Sequence, residues 1–267
     1  MHAHFVLAHP EPQSFNAHLV RSGAAALEAE GWTVSATDLY AIGFDPCERP
    51  AQYADRASPA RFDAQVEQRR ASETGSLPKV VTDELALMDR ADPLVLQYPM
   101  WWHLPPAMLK GWFDRVLVYG EVYTSKIRFE HGRLAGKRAM LSVTVGTSRA
   151  TYEHDGRSGD IDLLLWPVNF TLAYVGYEIL APYVSYGVEA GLRYSDPAAI
   201  EERLRAVVAD FRSALPRLAE RQTIPFNRME DWGQTAASRR APPSTRHLFG
   251  ENGDWRWSDR ISRSCRY

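Results

Sequence analysis

The run PLVLQYP at residues 93–99 is apolar at nearly every position and is closed by a proline at each end. It is too short for a helix. It also lacks the alternation of a strand with one wet face. A short unalternating run of this kind reads as a strand buried on both sides, and such strands belong to parallel sheets covered by helices. HFVLAHP, KRAMLSVTVG and YEILAPYVSYGV are runs of the same type, and TVSATDLY is a more mixed one. Segments with helical spacing separate them. Ser14 is suited to cap the first, with Phe15, Leu19 and Leu27 near one face and Gly31 just past the end. KVVTDELALMDRA, PAMLKGWFDRVL and DPAAIEERLRAVVADFRSALPRLAE follow the same pattern, Pro105 and Pro106 sitting where a helix tolerates proline. GDIDLLLWPVNFTLAYVG is mostly helical and interrupted at Pro167. Residues 41–76 carry little period and read as a surface excursion with one helix, ARFDAQVEQRRAS.

This alternation predicts an α/β fold: a flavodoxin-like, doubly wound, five-stranded parallel sheet of order 2-1-3-4-5 spanning residues 1–221. From Gln222 the pattern stops. Residues 222–267 hold eight arginines and no lysine, together with Trp232, Trp255 and Trp257. Disordered tails are poor in aromatics. The irregular C-terminal extension is therefore expected to pack on the domain or on a dimer partner.

With a net charge of −2 the chain carries no signature of a nucleic-acid or membrane-surface binder. No apolar window is long enough for a membrane span. Cys47 and Cys265 form no paired motif, and the opening MHAHFVLAHP lacks the basic and long apolar regions of a secretory signal, so a cytoplasmic location is expected. His2 and His4 form an HxH without an evident third ligand, and no metal site is expected.

In open α/β sheets ligands bind beyond the carboxyl ends of the strands. That rule selects three loops: AHPEPQSFN, YPMWWHL and VGTSRATYEHDGRSGD. The first runs into a helix N-terminus, where free N–H groups and the helix dipole favour an anion. The second is a stiff aromatic wall suited to a planar heteroaromatic ligand. Neither GxGxxG nor GxxxxGK[ST] is present, which argues against a Rossmann or Walker site.

Four blocks, AHPEPQSFN, YPMWWHLPPAMLKGWFDRV, GEVYT and LSVTVGTSRATYEHDGRSGDIDLLLWPVNF, occur in one order along residues 3–190. In that order they resemble the NAD(P)H:quinone oxidoreductases of the DT-diaphorase and modulator-of-drug-activity type. The resemblance implies a homodimer with a flavin at each interface site, FAD or alternatively FMN. NAD(P)H would be the co-substrate and a quinone or nitroaromatic the acceptor, in ping-pong turnover. It implies that His9, Phe15 and Asn16 hold the flavin phosphate. Met100, Trp101, Trp102 and His103 would line the ring, and Val145, Gly146, Thr147 and Ser148 its pyrimidine edge. Tyr123 would reach the substrate from the partner subunit, and Tyr152 would be the catalytic tyrosine. Donors aimed at that edge suit the charge that hydride transfer creates. Two positions depart from the family. Ser158 stands where it has a histidine, with His154 the nearby substitute, and Asp63 stands where relatives place a glutamine near the adenosine. An ancillary flavin-binding subunit of a potassium-efflux transporter, or a specialised biosynthetic reductase, are the alternative functions.

Overall fold

The structure is a computed structural model that describes residues 1–189 and 196–232. Its sheet contains β1 (His2–Leu7), β2 (Thr33–Asp38), β3 (Leu94–Pro99), β4 (Arg138–Thr144), β5 (Glu178–Ser185) and β6 (Thr223–Ile224). The spatial order is β2-β1-β3-β4-β5-β6. The first five strands are parallel, as the unalternating apolar runs require, and β3 is buried along its whole length.

The helices are α1 (Phe15–Ala29), α2 (Ala64–Thr74), α3 (Lys79–Arg90), α4 (Ala107–Val116), α5 (Ile161–Tyr174) and α6 (Pro197–Ala214). Two apolar clusters lie on the two faces of the sheet. Leu19 and Leu27 of α1 meet Phe5, Val95, Met140 and the Phe211, Leu215 and Leu218 stretch at the end of α6. Leu85 and Met88 of α3, Leu109 and Trp112 of α4, and Leu165 and Leu172 of α5 pack on the other face. Ser14 caps α1 as expected, its hydroxyl accepting from Ala17 N at 3.2 Å. Helix α5 runs through Pro167. Buried Arg115 of α4 anchors the 41–76 excursion by donating to the Asp45 carbonyl at 2.6 Å, with its guanidinium over the Phe44 ring.

The sheet continues past residue 222, where the sequence shows no strand. Thr223 and Ile224 pair antiparallel with Leu180 and Ile179 of β5. The chain then lays Phe226 near Phe170 and Trp232 near Phe129, and Met229 N donates to the Glu130 carboxylate. Two residues of strand are too few to leave a period in the sequence. Trp255 and Trp257 lie outside the described residues.

A polar network is buried beneath α3 and α4. His4 Nδ1 bonds Ser35 Oγ at 2.8 Å, and Glu84 accepts from Thr37 Oγ1 at 2.7 Å and from Trp112 Nε1 at 2.8 Å. Burial, with help from neighbouring His2, pulls the His4 imidazole down to about 4, while burial pushes the Glu84 carboxyl up. Neutral His4 therefore binds fewer protons in the folded chain than in the unfolded one between its ordinary value of 6.5 and about 4. Stability from this group is full above the ordinary histidine range and falls as pH drops through that window, by about 3 kcal/mol in all. Glu84 acts in the opposite sense, so the effect is read as a difference. His4→Gln should flatten the acid limb of denaturant-midpoint curves relative to the wild type. Parallel curves would exclude His4 as the source.

Candidate active site at the strand ends

The loops that follow β1, β3 and β4 open on one edge of the sheet, and a cleft of about 1030 Å³ lies among them. His9, Ser14, Phe15 and Asn16 form one end. Met100 and Trp101 line it from the β3 loop, and Gly146, Thr147 and Ser148 from the β4 loop. Eight of the sequence-predicted cofactor residues thus share one space.

His9 is fixed as a donor. Its Nδ1 accepts the Glu11 N–H at 3.0 Å, so in the neutral ring the proton sits on Nε2. Burial holds the ring below its ordinary value, which favours that neutral form. The Trp101 indole packs edge-on against it with centroids 5.9 Å apart. Beside it, the first-turn N–H groups of α1 have no acceptor within the helix.

The Asn16 side chain has a structural part. It is buried, and its Oδ1 accepts from Gln97 Nε2 at 2.8 Å while its Nδ2 donates to Thr144 Oγ1 at 3.0 Å. The amide therefore ties the start of α1 to the ends of β3 and β4. Its backbone N–H remains for a ligand.

Trp102 and His103 do not line the cleft. Trp101 and Leu104 exchange backbone hydrogen bonds at 2.9 and 3.0 Å, closing a tight turn with Trp102 and His103 at its tip. Both tip residues have positive φ, 52° and 63°, as in a type I′ turn. That conformation swings Trp102 outward to 93% exposure. Only Met100 and Trp101 of the expected four-residue wall face the space.

Val145 is buried in the core, its N–H bonded to Ser185 O and its carbonyl to Val188 N, so neither group is available to a ligand. Asp63 caps α2 through Val66 N and does not line the cleft. Tyr123 lines a separate depression with Phe113, Leu117, Phe170 and Tyr174.

Tyr152 lines an adjoining recess of about 590 Å³, and Arg149 and Tyr186 belong to both spaces. The Tyr152 and Tyr186 rings are 6.1 Å apart. Tyr186, Gly187, Val188, Glu189, Arg157 and Arg203 also line the cleft and were not singled out in the sequence. The strand-end rule covers the first four, because they follow β5. Arg203 reaches across from α6 to donate to Gly187 O at 2.9 Å and Glu189 Oε1 at 3.2 Å. Its Nε is buried without a hydrogen-bond partner among the described residues.

Residues 1–210 match the family model described as having a flavodoxin-like fold. A ribosyldihydronicotinamide dehydrogenase [quinone] from Pongo abelii is 36% identical over 222 residues, 82% of this chain and 93% of that protein. An NAD(P)H dehydrogenase [quinone] 1 from Cavia porcellus is 36% identical over 185 residues, 68% of this chain and 67% of its own. Among solved structures, a putative quinone reductase from Klebsiella pneumoniae superposes with a TM-score of 0.79 at 28% identity, covering 90% of this chain and 94% of that one. The chain belongs to this flavodoxin-like family of quinone dehydrogenases. Like its relatives it is an oxidoreductase.

The strained turn generates a stability expectation. A non-glycine residue held at positive φ costs roughly 1–2 kcal/mol. His103→Gly should therefore raise the unfolding free energy by about 1 kcal/mol in denaturant titration. A loss of stability would mean the His103 side chain contributes more than its backbone costs.

Proposed function

We propose that the chain is a flavin-dependent NAD(P)H:quinone oxidoreductase that acts on quinones or related electron-poor aromatics. The carrying observation is the single cleft that joins a helix N-terminus, an indole wall and an exposed glycine loop. The names of the relatives, which are quinone dehydrogenases and reductases, support the same activity.

The residues fit a flavin. His9 Nε2–H, the free N–H groups at Phe15 and Asn16, and the unpartnered Arg203 Nε suit its phosphate end. Met100 and Trp101 would flank the ring, with Gly146, Thr147 and Ser148 along its polar edge. Gly146 bears on this directly. A Cβ added there would meet protein only at Val188 O, 3.8 Å away, so the fold itself does not demand glycine. A ligand lying on the loop would demand it. Of the two flavins FAD is the reading taken, with FMN the alternative. Bound flavin brings two-electron hydride exchange, and NAD(P)H and acceptor would use one pocket in turn.

The protein's own part is to bind, orient and donate. N–H groups of the β4 loop would stabilise charge that develops on the ring edge, and Tyr152 would donate a hydrogen bond from the substrate side. The reading includes a homodimer. Trp102 at 93% exposure and Leu104 at 58% form an apolar knob beside the cleft that a second subunit would cover. Tyr123 cannot share the cleft within one chain, so its expected substrate role needs that second copy. The C-terminal extension would pack on the same assembly. No observation favours the transporter-subunit reading.

The purified protein should be yellow, release a flavin identifiable by mass, and oxidise NAD(P)H in the presence of a quinone. A colourless protein that takes up no flavin and shows no turnover would refute the assignment. Gly146→Val should weaken flavin binding roughly tenfold or more while leaving the melting temperature of the flavin-free protein unchanged. Equal affinity in the variant would place the ring elsewhere. Tyr152→Phe should lower turnover roughly tenfold or more with flavin affinity retained. Equal loss of both, or of neither, would remove Tyr152 from the chemical step.

A further inference from the structure

We infer that Arg157 makes the cleft selective for acceptors that carry an oxyanion substituent: a carboxylate, sulfonate or phosphate on the electron-poor ring. The inference rests on the quinone-reductase reading and goes beyond it by naming a charge that the acceptor should bear.

Arg149, Arg157 and Arg203 line the cleft, against the acids Glu11 and Glu189. Most of these charges are already committed within the protein. Arg203 donates to Gly187 O at 2.9 Å and to Glu189 Oε1 at 3.2 Å. Glu11 Oε1 accepts from Gln13 N at 2.8 Å, just ahead of α1. Arg149 is paired with Glu153 at 3.2 Å. Arg157 makes no hydrogen bond or ion pair among the described residues. It is the uncommitted cation of the three.

An exposed arginine is ordinarily just a solvated one. What sets Arg157 apart is the turn that carries it, in which Thr151 is the hub. The Thr151 carbonyl accepts Ser158 N at 2.8 Å. Its hydroxyl lies 2.6 Å from Thr147 Oγ1 and donates to Ser148 O at 2.9 Å. A Cβ on Gly156 would come within 2.3 Å of Thr151 O, so this close approach needs glycine. Arg157 stands between Gly156 and Ser158, the two residues that press against Thr151. Its backbone is thereby tied to Thr147 and Ser148, which would meet the polar edge of the flavin ring. The phosphate end, at His9 and the start of α1, is served by other groups. The Arg157 charge therefore belongs to the ring side of the cleft, where an acceptor would lie.

The chemistry of the side chain suits that place. A guanidinium is a planar fork of donors, matched to the paired oxygens of a carboxylate or sulfonate. One such contact at a cleft mouth is worth about tenfold in affinity. Arg149 lines the same cleft, and its exposed pair with Glu153 is weak enough to give way to a second contact. A neutral quinone forgoes both contacts, so the selection is read as a ratio of kcat/KM values.

The probes are 1,4-naphthoquinone and its 2-sulfonate, compared in the flavin-loaded enzyme with NADH as donor. Arg157→Gln should lower the sulfonate-to-parent ratio of kcat/KM about tenfold, mainly through the KM of the sulfonate. Arg157→Lys, which keeps a charge there, should restore most of it. The wild-type ratio should fall as potassium chloride is added, and Arg157→Gln should lose that salt dependence. Titrating the sulfonate into the oxidised holoenzyme without NADH should show a matching loss in Kd, with no turnover involved. A ratio unchanged in Arg157→Gln would overturn the inference. So would a loss confined to flavin affinity, or to the use of NADPH relative to NADH, because the charge would then serve a cofactor phosphate. Each of those results leaves the quinone-reductase reading standing. A wild type without flavin binding or quinone turnover would remove both.

Discussion

The buried amide of Asn16 is the contact on which the rest of the site depends. It sits in the first turn of α1 and bonds Gln97 of β3 and Thr144 of β4. Those two side chains stand at the carboxyl ends of neighbouring parallel strands. One side chain thereby fixes the height of a helix N-terminus against the two loops that flank it. Amide hydrogen bonds in a water-free place are stiff, because breaking one leaves a buried polar group unpaired. The cleft has a defined width because this joint does.

Around that joint the sheet supplies the rest. Strands covered on both faces by helices offer a ligand only their ends. All three loops with chemistry in them emerge at that edge, and so does the β5 loop with Tyr186. The anion-favouring end, the aromatic flank and the glycine flank are then consequences of which residues occupy four loop starts. The adjoining recess that holds Tyr152 is built on another principle. Asp160 caps α5 and also bonds the His154 ring, so the helix start fixes the turn that precedes it.

Much of this was legible in the sequence. Unalternating apolar runs read as parallel strands, and five of them alternating with helices read as a flavodoxin-like order, which places ligands at the strand ends. Ser14 read correctly as a cap because capping is a local event. What escaped was non-local or conformational. The partners of the Asn16 side chain lie 81 and 128 residues away, so nothing local in the sequence marks them. Trp102 and His103 looked like wall residues because nothing in their identity announces positive φ, which such side chains rarely adopt. Val145 looked accessible because it adjoins Gly146, yet its backbone completes the sheet edge. Arg203 came from a helix surface whose charges resemble any solvated face. Strand β6 was too short to leave a pattern.

The central claim is a location: a flavin with its phosphate at the start of α1 beside His9 and its ring along Trp101 and Gly146. A crystal structure of the flavin-loaded protein measures that location directly. Density for the phosphate within hydrogen-bond reach of His9 Nε2 and the Phe15 and Asn16 N–H groups, with the ring against Trp101, is the expected result. A flavin bound in another recess, or a cleft filled by the protein's own side chains, would contradict it.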